Sequence, residues 1–102
     1  MKSRKLYAFD RDQTVETSEG PIPLSVIRKL MEEGAIVYAI GNVLLCDEIS
    51  IPYAEGETKV ERVRNLREKY PGLDEYILID DGEIEVQGFK HYTPDEFLKT
   101  IK

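Results

Sequence analysis

Four aspartates stand where apolar runs stop. Asp10 and Asp12 follow the run 6–9 (Leu-Tyr-Ala-Phe), and Asp80 and Asp81 follow the run 76–79 (Tyr-Ile-Leu-Ile). Thr14 completes the spacing Asp10-x-Asp12-x-Thr14, and Gly41 and Asn42 close a third run over 35–40. Short continuous apolar runs suit strands buried on both faces. In open parallel sheets the carboxyl ends of the strands form the ligand crevice. Four carboxylates would then share one small region. In a partly desolvated cleft they repel, and protons or a cation must relieve that repulsion. A hard divalent ion does so with oxygen ligands, and Mg²⁺ pairs a few carboxylates with a substrate phosphate. Any one of these aspartates is explained as a cap or turn residue. The four together, at that spacing, point to metal-dependent phosphate chemistry.

Helices fill the gaps between the runs. Residues 23–33 place Leu24, Ile27, Leu30 and Met31 on one face, with Pro23 at the start and Gly34 at the stop. Residues 59–70 place Val60, Val63, Leu66 or Arg67, and Tyr70 on a face, and Thr58 with Glu61 forms a capping box. Residues 94–101 repeat the device with Thr93, Pro94 and Glu96, and predict burial of Phe97, Leu98 and Ile101. This alternation is the rhythm of an α/β domain with a parallel sheet. The stretch 48–52, ending in Pro52, reads as a short edge strand, and 83–86 reads as another.

The chain has 102 residues, which fits one domain over 1–102. At 41% apolar and 33% charged it reads as a globular domain. No run approaches the roughly 18 apolar residues of a membrane span, and the run after the basic N-terminus is too short for a signal peptide. A cytoplasmic location is therefore expected, with no membrane partner. Twenty acidic residues against fourteen basic give −6. That balance argues against a nucleic-acid footprint, and a phosphate ligand would need a local cation. The basic residues over 59–69 are interrupted by Glu61 and Glu68 and read as a solvated helix face. Cys46 and His91, the only Cys and His, cannot make a structural zinc site. Cys46 reads as a small core residue and His91 as a surface or half-buried one. Arg11, between the two aspartates, either reaches a substrate anion or faces solvent.

The segment 6–15, with Asp10-Arg-Asp12-Gln-Thr14, resembles the first motif of the haloacid dehalogenase superfamily of phosphotransferases. The segment 77–81 is similar to its acidic fourth motif, and Lys59 sits where the third-motif lysine would. The resemblance implies a three-layer, doubly wound, mainly parallel sheet with the first strand central. It also implies roles. Asp10 would attack phosphorus to form an aspartyl-phosphate. Asp12 would protonate the leaving oxygen and then activate water. Mg²⁺ would be held by the Asp10 carboxylate, the Asp12 carbonyl and Asp80 or Asp81. Lys59 would offset phosphoryl charge, and Thr14 would help orient the loop.

Three departures accompany the resemblance. Ile40 aligns with the Thr or Ser of the second motif, so Gly41 N–H and the Asn42 amide would bind phosphate in its place. Loss of one phosphoryl donor costs about 2–4 kcal/mol in the transition state. Neither residues 15–22 nor 43–57 can hold a cap domain. Water exclusion falls to loop 13–21, another subunit, or a bulky or macromolecular phosphorylated substrate. The segment after Asp81 looks extended where many members begin a helix. Two other readings stand beside a capless phosphatase: a binding module of the same fold without turnover, and a phospho-acceptor receiver domain, whose order of acidic and lysine positions differs.

Overall fold

The computed structural model describes residues 4–101. Strand β1 (Lys5–Phe9) leads into a loop containing one 3-10 turn (Glu16–Ser18), then helix α1 (Leu24–Glu32) and strand β2 (Ile36–Ala39). Helices α2 (Leu44–Ile49) and α3 (Lys59–Lys69) follow, then strands β3 (Glu75–Ile79) and β4 (Lys90–Tyr92), and helix α4 (Pro94–Thr100). The sheet order is β2-β1-β3-β4, and every pairing is parallel. The α/β reading and the central first strand thus hold.

Alternation along the strands sorts the core into two layers. Tyr7, Phe9, Val37, Ala39, Ile77 and Ile79 pack against Leu24, Ile27 and Leu30 of α1, Leu45 and Ile49 of α2, and Phe97 of α4. Leu6, Ala8, Tyr38, Ile40, Tyr76 and Leu78 pack against Val63 and Leu66 of α3. Helices therefore cover both faces. No helix among the described residues is long and apolar enough to cross a membrane.

Caps follow the sequence signals. Thr93 and Glu96 form a full capping box at α4. At α3, Thr58 Oγ1 accepts from Glu61 N at 3.1 Å, while the Glu61 carboxylate reaches Glu57 N instead of the cap residue. Pro23 caps α1 without a side-chain acceptor, and Glu16 supplies one across the loop, accepting from Leu24 N at 2.6 Å.

Four expectations are corrected. Residues 48–52 are not a strand: Glu48 and Ile49 end helix α2, because Leu45 and Ile49 sit four apart and both bury against the first core layer. The chain then meets the sheet edge at Tyr53, bridged to Ala39 through the flanking Pro52 carbonyl and Ala54 N–H. Residues 83–86 are irregular, and the fourth strand is Lys90–Tyr92. Ile101 is 42% exposed, since α4 ends at Thr100 before it can turn inward. Cys46 is half-buried against the first core layer rather than inside it.

Candidate active site

The register places the acidic residues. Phe9 pairs with Ile79 and with Ala39, so Asp10, Asp80 and Ile40 continue one rung across the three strands. The ladder persists one residue further: Asp10 N donates to Ile79 O at 3.0 Å, Asp80 N to Tyr92 O at 3.2 Å, and Ile40 N to Phe9 O at 3.1 Å. Even-numbered positions of β1 and β3 face α3. Asp10 and Asp80 inherit that face, and both are buried. Neighbouring strands lie about 4.8 Å apart, so the two carboxylates are brought together by the backbone itself.

Lys59, the first residue of α3, meets them there. Its Nζ lies 2.8 Å from Asp80 Oδ2 and 3.4 Å from Asp10 Oδ1. A cation at a helix N-terminus opposes the helix dipole, and here the two buried carboxylates offset that cost. Burial works against the charged ammonium. The hydrogen bond to Asp80 and the charges of Asp10 and Asp80 outweigh it and raise the Lys59 pKa. Asp10 is pushed up to about 6, first by burial and then by the charge of Asp80, with Asp81 adding to it and Lys59 opposing.

Asp81 is exposed, yet one of its oxygens joins those of Asp10 and Asp80 in a group lying within 4.8 Å of one another. Gly82 N donates to Asp80 Oδ1 at 2.8 Å, which turns the chain around that carboxylate. Three hard oxygen donors on two adjacent strand ends suit a small divalent cation. The set therefore fits Mg²⁺, which the resemblance requires.

The remaining predicted residues divide. Thr14 is buried, and its Oγ1 donates to Asp10 Oδ2 at 3.4 Å, with the Asp12 carbonyl at the same distance. It thus holds the loop and the Asp10 carboxylate together. Asp12 does not join the other three carboxylates. Its side chain is 64% exposed, and its Oδ1 accepts from Ser18 Oγ at 3.1 Å and Asn42 Nδ2 at 3.3 Å. Asn42 is in turn fixed by accepting from Leu44 N at 2.9 Å.

At the end of β2, Gly41 lies directly against the Asp10 carboxylate, while Ile40 shares the rung of Asp10 as a core residue. Ile40 is fully buried among Tyr38, Ala54, Val63 and Leu78. A Cβ built on Gly41 would instead overlap Asp10 Oδ1. The aligned isoleucine thus belongs to the core, and the site-facing position carries no side chain.

Sequence reasoning missed several contributors. The Arg62 guanidinium donates to the carbonyls of Ile40, Gly56 and Glu57, tying the end of β2 to the start of α3. Tyr53 donates its hydroxyl to the Gly41 carbonyl. His91 Nε2 lies 3.0 Å from the Asp80 carbonyl. Arg11 neither points at a substrate position nor faces open solvent, because it pairs with Glu48. Apart from the Arg62 bonds to Gly56 and Glu57, these contacts span 11 to 37 residues, and no local pattern signals them. No protein-family model, no curated protein and no solved structure matches this chain.

Proposed function

We propose that this chain is a small, capless, Mg²⁺-dependent phosphotransferase or phosphatase of the haloacid dehalogenase type, acting through an aspartyl-phosphate. The observation that carries this reading is the placement of Lys59 Nζ within 3.4 Å of two buried carboxylates, Asp10 and Asp80, on adjacent strand ends. A structural ion pair needs one carboxylate. A second one, forced onto the same rung and raised in pKa, is a cost that a phosphoryl-transfer site explains.

Asp10 is the nucleophile. One of its oxygens attacks phosphorus as the bond from phosphorus to the leaving oxygen breaks. Asp12, at the exposed mouth, donates a proton to that oxygen and then takes one from the water that attacks the aspartyl-phosphate. Phosphate leaves, and both carboxyl groups return to their starting states. The Asp10 carboxylate, the Asp12 carbonyl and Asp80 or Asp81 would hold Mg²⁺, which when bound would neutralise nucleophile–phosphate repulsion. Lys59 offsets phosphoryl charge from the α3 side. Thr14 keeps Asp10 aimed, and Gly41 and Asn42 offer backbone and amide donors at the end of β2.

The substrate is a phosphorylated molecule. With the loop over 13–21 beside the site, a bulky or macromolecular substrate, or a second subunit, would complete water exclusion. The test is binding of beryllofluoride with Mg²⁺, followed by ¹⁹F NMR in wild type and Asp10→Asn. A bound signal that requires both Mg²⁺ and Asp10 is expected. A second reading, a binding module of the same fold, is favoured by one observation: β2 presents no hydroxyl to the site. Retained Mg²⁺ binding without any fluoride signal would favour that module.

A further inference from the structure

Arg11 lies between the two aspartates of the first loop, and its side chain turns back onto α2. Its Nε donates to Glu48 Oε1 at 3.0 Å and its Nη2 to Glu48 Oε2 at 3.2 Å. This is the two-pronged guanidinium–carboxylate match that fixes geometry as well as charge. Thr17 Oγ1 adds a third bond to Glu48 Oε1 at 2.9 Å. Arg11 also reaches the Thr17 carbonyl, and its Nη1 lies 3.4 Å from Asp12 Oδ1. The Arg11 and Glu48 side chains are 14% and 22% exposed, whereas Asp12 is 64% exposed.

The segment 42–48 therefore holds Asp12 from both of its ends. Asn42 does so directly, and Glu48 does so through Arg11. Between Asp12 and Thr14 the chain passes through Gln13 at a φ of 58°, a left-handed conformation that a non-glycine residue adopts only when its surroundings impose it. An exposed aspartate on such a loop would otherwise sample several rotamers. A proton donor is useful only within hydrogen-bond reach of the atom it serves.

We infer that Glu48 is a positioning residue: acting through Arg11, it holds the Asp12 carboxylate in one rotamer at the mouth of the site. The restraint stands on the geometry alone, and its catalytic consequence rests on the phosphotransfer reading above. Arg11 is thereby committed to α2 and does not bind the substrate's anionic group.

The experiment uses the full chain with Glu48→Gln and Arg11→Lys. Gln keeps the volume of Glu48 but removes its charge and one acceptor oxygen. Lys keeps the charge of Arg11 but cannot make the fork. Amide spectra establish that each variant is folded. Scalar couplings to the Asp12 β-protons report its χ1 rotamer, expected to be single in wild type and averaged in both variants. Hydrolysis of para-nitrophenyl phosphate with Mg²⁺ is expected to lose about 10- to 100-fold in kcat, with KM nearly unchanged. A folded Glu48→Gln with an unaveraged Asp12 would overturn the proposal, as would an unchanged kcat in an active background. If wild type neither hydrolyses the ester nor binds beryllofluoride, the phosphotransfer reading fails. The Asp12 couplings then decide the positioning role by themselves.

Discussion

Gly41 lies so close to Asp10 that a Cβ at position 41 would overlap the Asp10 Oδ1 atom. The contact joins the ends of β2 and β1. Lys59 also meets Oδ1, and Thr14 meets Oδ2. The nucleophile of the proposed reaction is thus boxed on three sides by a missing side chain, a cation and a hydroxyl.

Gly41→Ala should therefore displace Asp10. Overpacking of this kind costs about 1–3 kcal/mol, readable as a lower urea midpoint. The Mg²⁺-dependent beryllofluoride signal should fall with it. A variant of normal stability that retained full binding would show that Asp10 has room the contact denies.

Lys59→Met should uncover two buried carboxylates at once. Removing one partner of a fully buried pair costs about 3–5 kcal/mol. The Lys59 side chain is 35% exposed, so solvent screening reduces the expected loss to about 1–3 kcal/mol. Addition of Mg²⁺ should recover part of it, because another cation can take up the same repulsion. Thermal unfolding with and without Mg²⁺ checks both effects.

The raised Asp10 pKa makes a pH prediction for protein kept in chelator. The folded state holds the Asp10 proton up to about 6, whereas its ordinary value is 3.8. Asp10 therefore favours folding fully below about pH 4. That contribution is lost as pH rises through 6 and stays lost above it. At about 1.4 kcal/mol per unit, the loss approaches roughly 3 kcal/mol. Asp10→Asn should remove this slope, so the difference between wild-type and variant denaturation curves from pH 4 to 7.5 isolates it. At pH 7.5 the variant should be the more stable protein, although it lacks the nucleophile.

Ile40→Thr tests which position faces the site. A hydroxyl at position 40 should not become a phosphoryl donor, because the side chain there belongs to the core cluster with Ala54 and Val63. Burying a hydroxyl there and losing a methylene costs about 1–3 kcal/mol. Lower stability with unchanged beryllofluoride affinity is the expected result. Tighter binding would place position 40 in the pocket.

The sequence by itself determined the strands β1, β2 and β3, the helices α1, α3 and α4, and the aspartates that stand at the strand ends. Continuous apolar runs signal strands buried on both faces, and abrupt stops at Asp10 and Asp80 mark the ends where a parallel sheet opens. These features are local, so a window of ten residues contains them. Helix α2 was not read, because six residues give too few turns for a helical period to separate from a strand. Strand β4 was not read either, because Lys90-His91-Tyr92 is half-exposed at the sheet edge and carries no apolar run. Only the tertiary structure decided which carboxylates meet. Asp10 and Asp80 share a rung and a face with Lys59, while Asp12, two residues on, turns to Asn42, Ser18 and Arg11. Gly41 was already a site candidate in the sequence, and only the structure showed how closely it approaches Asp10 and that Ile40 belongs to the core. Which way a residue faces at the last rung of a strand depends on register with its neighbours, and register is set by pairings tens of residues apart.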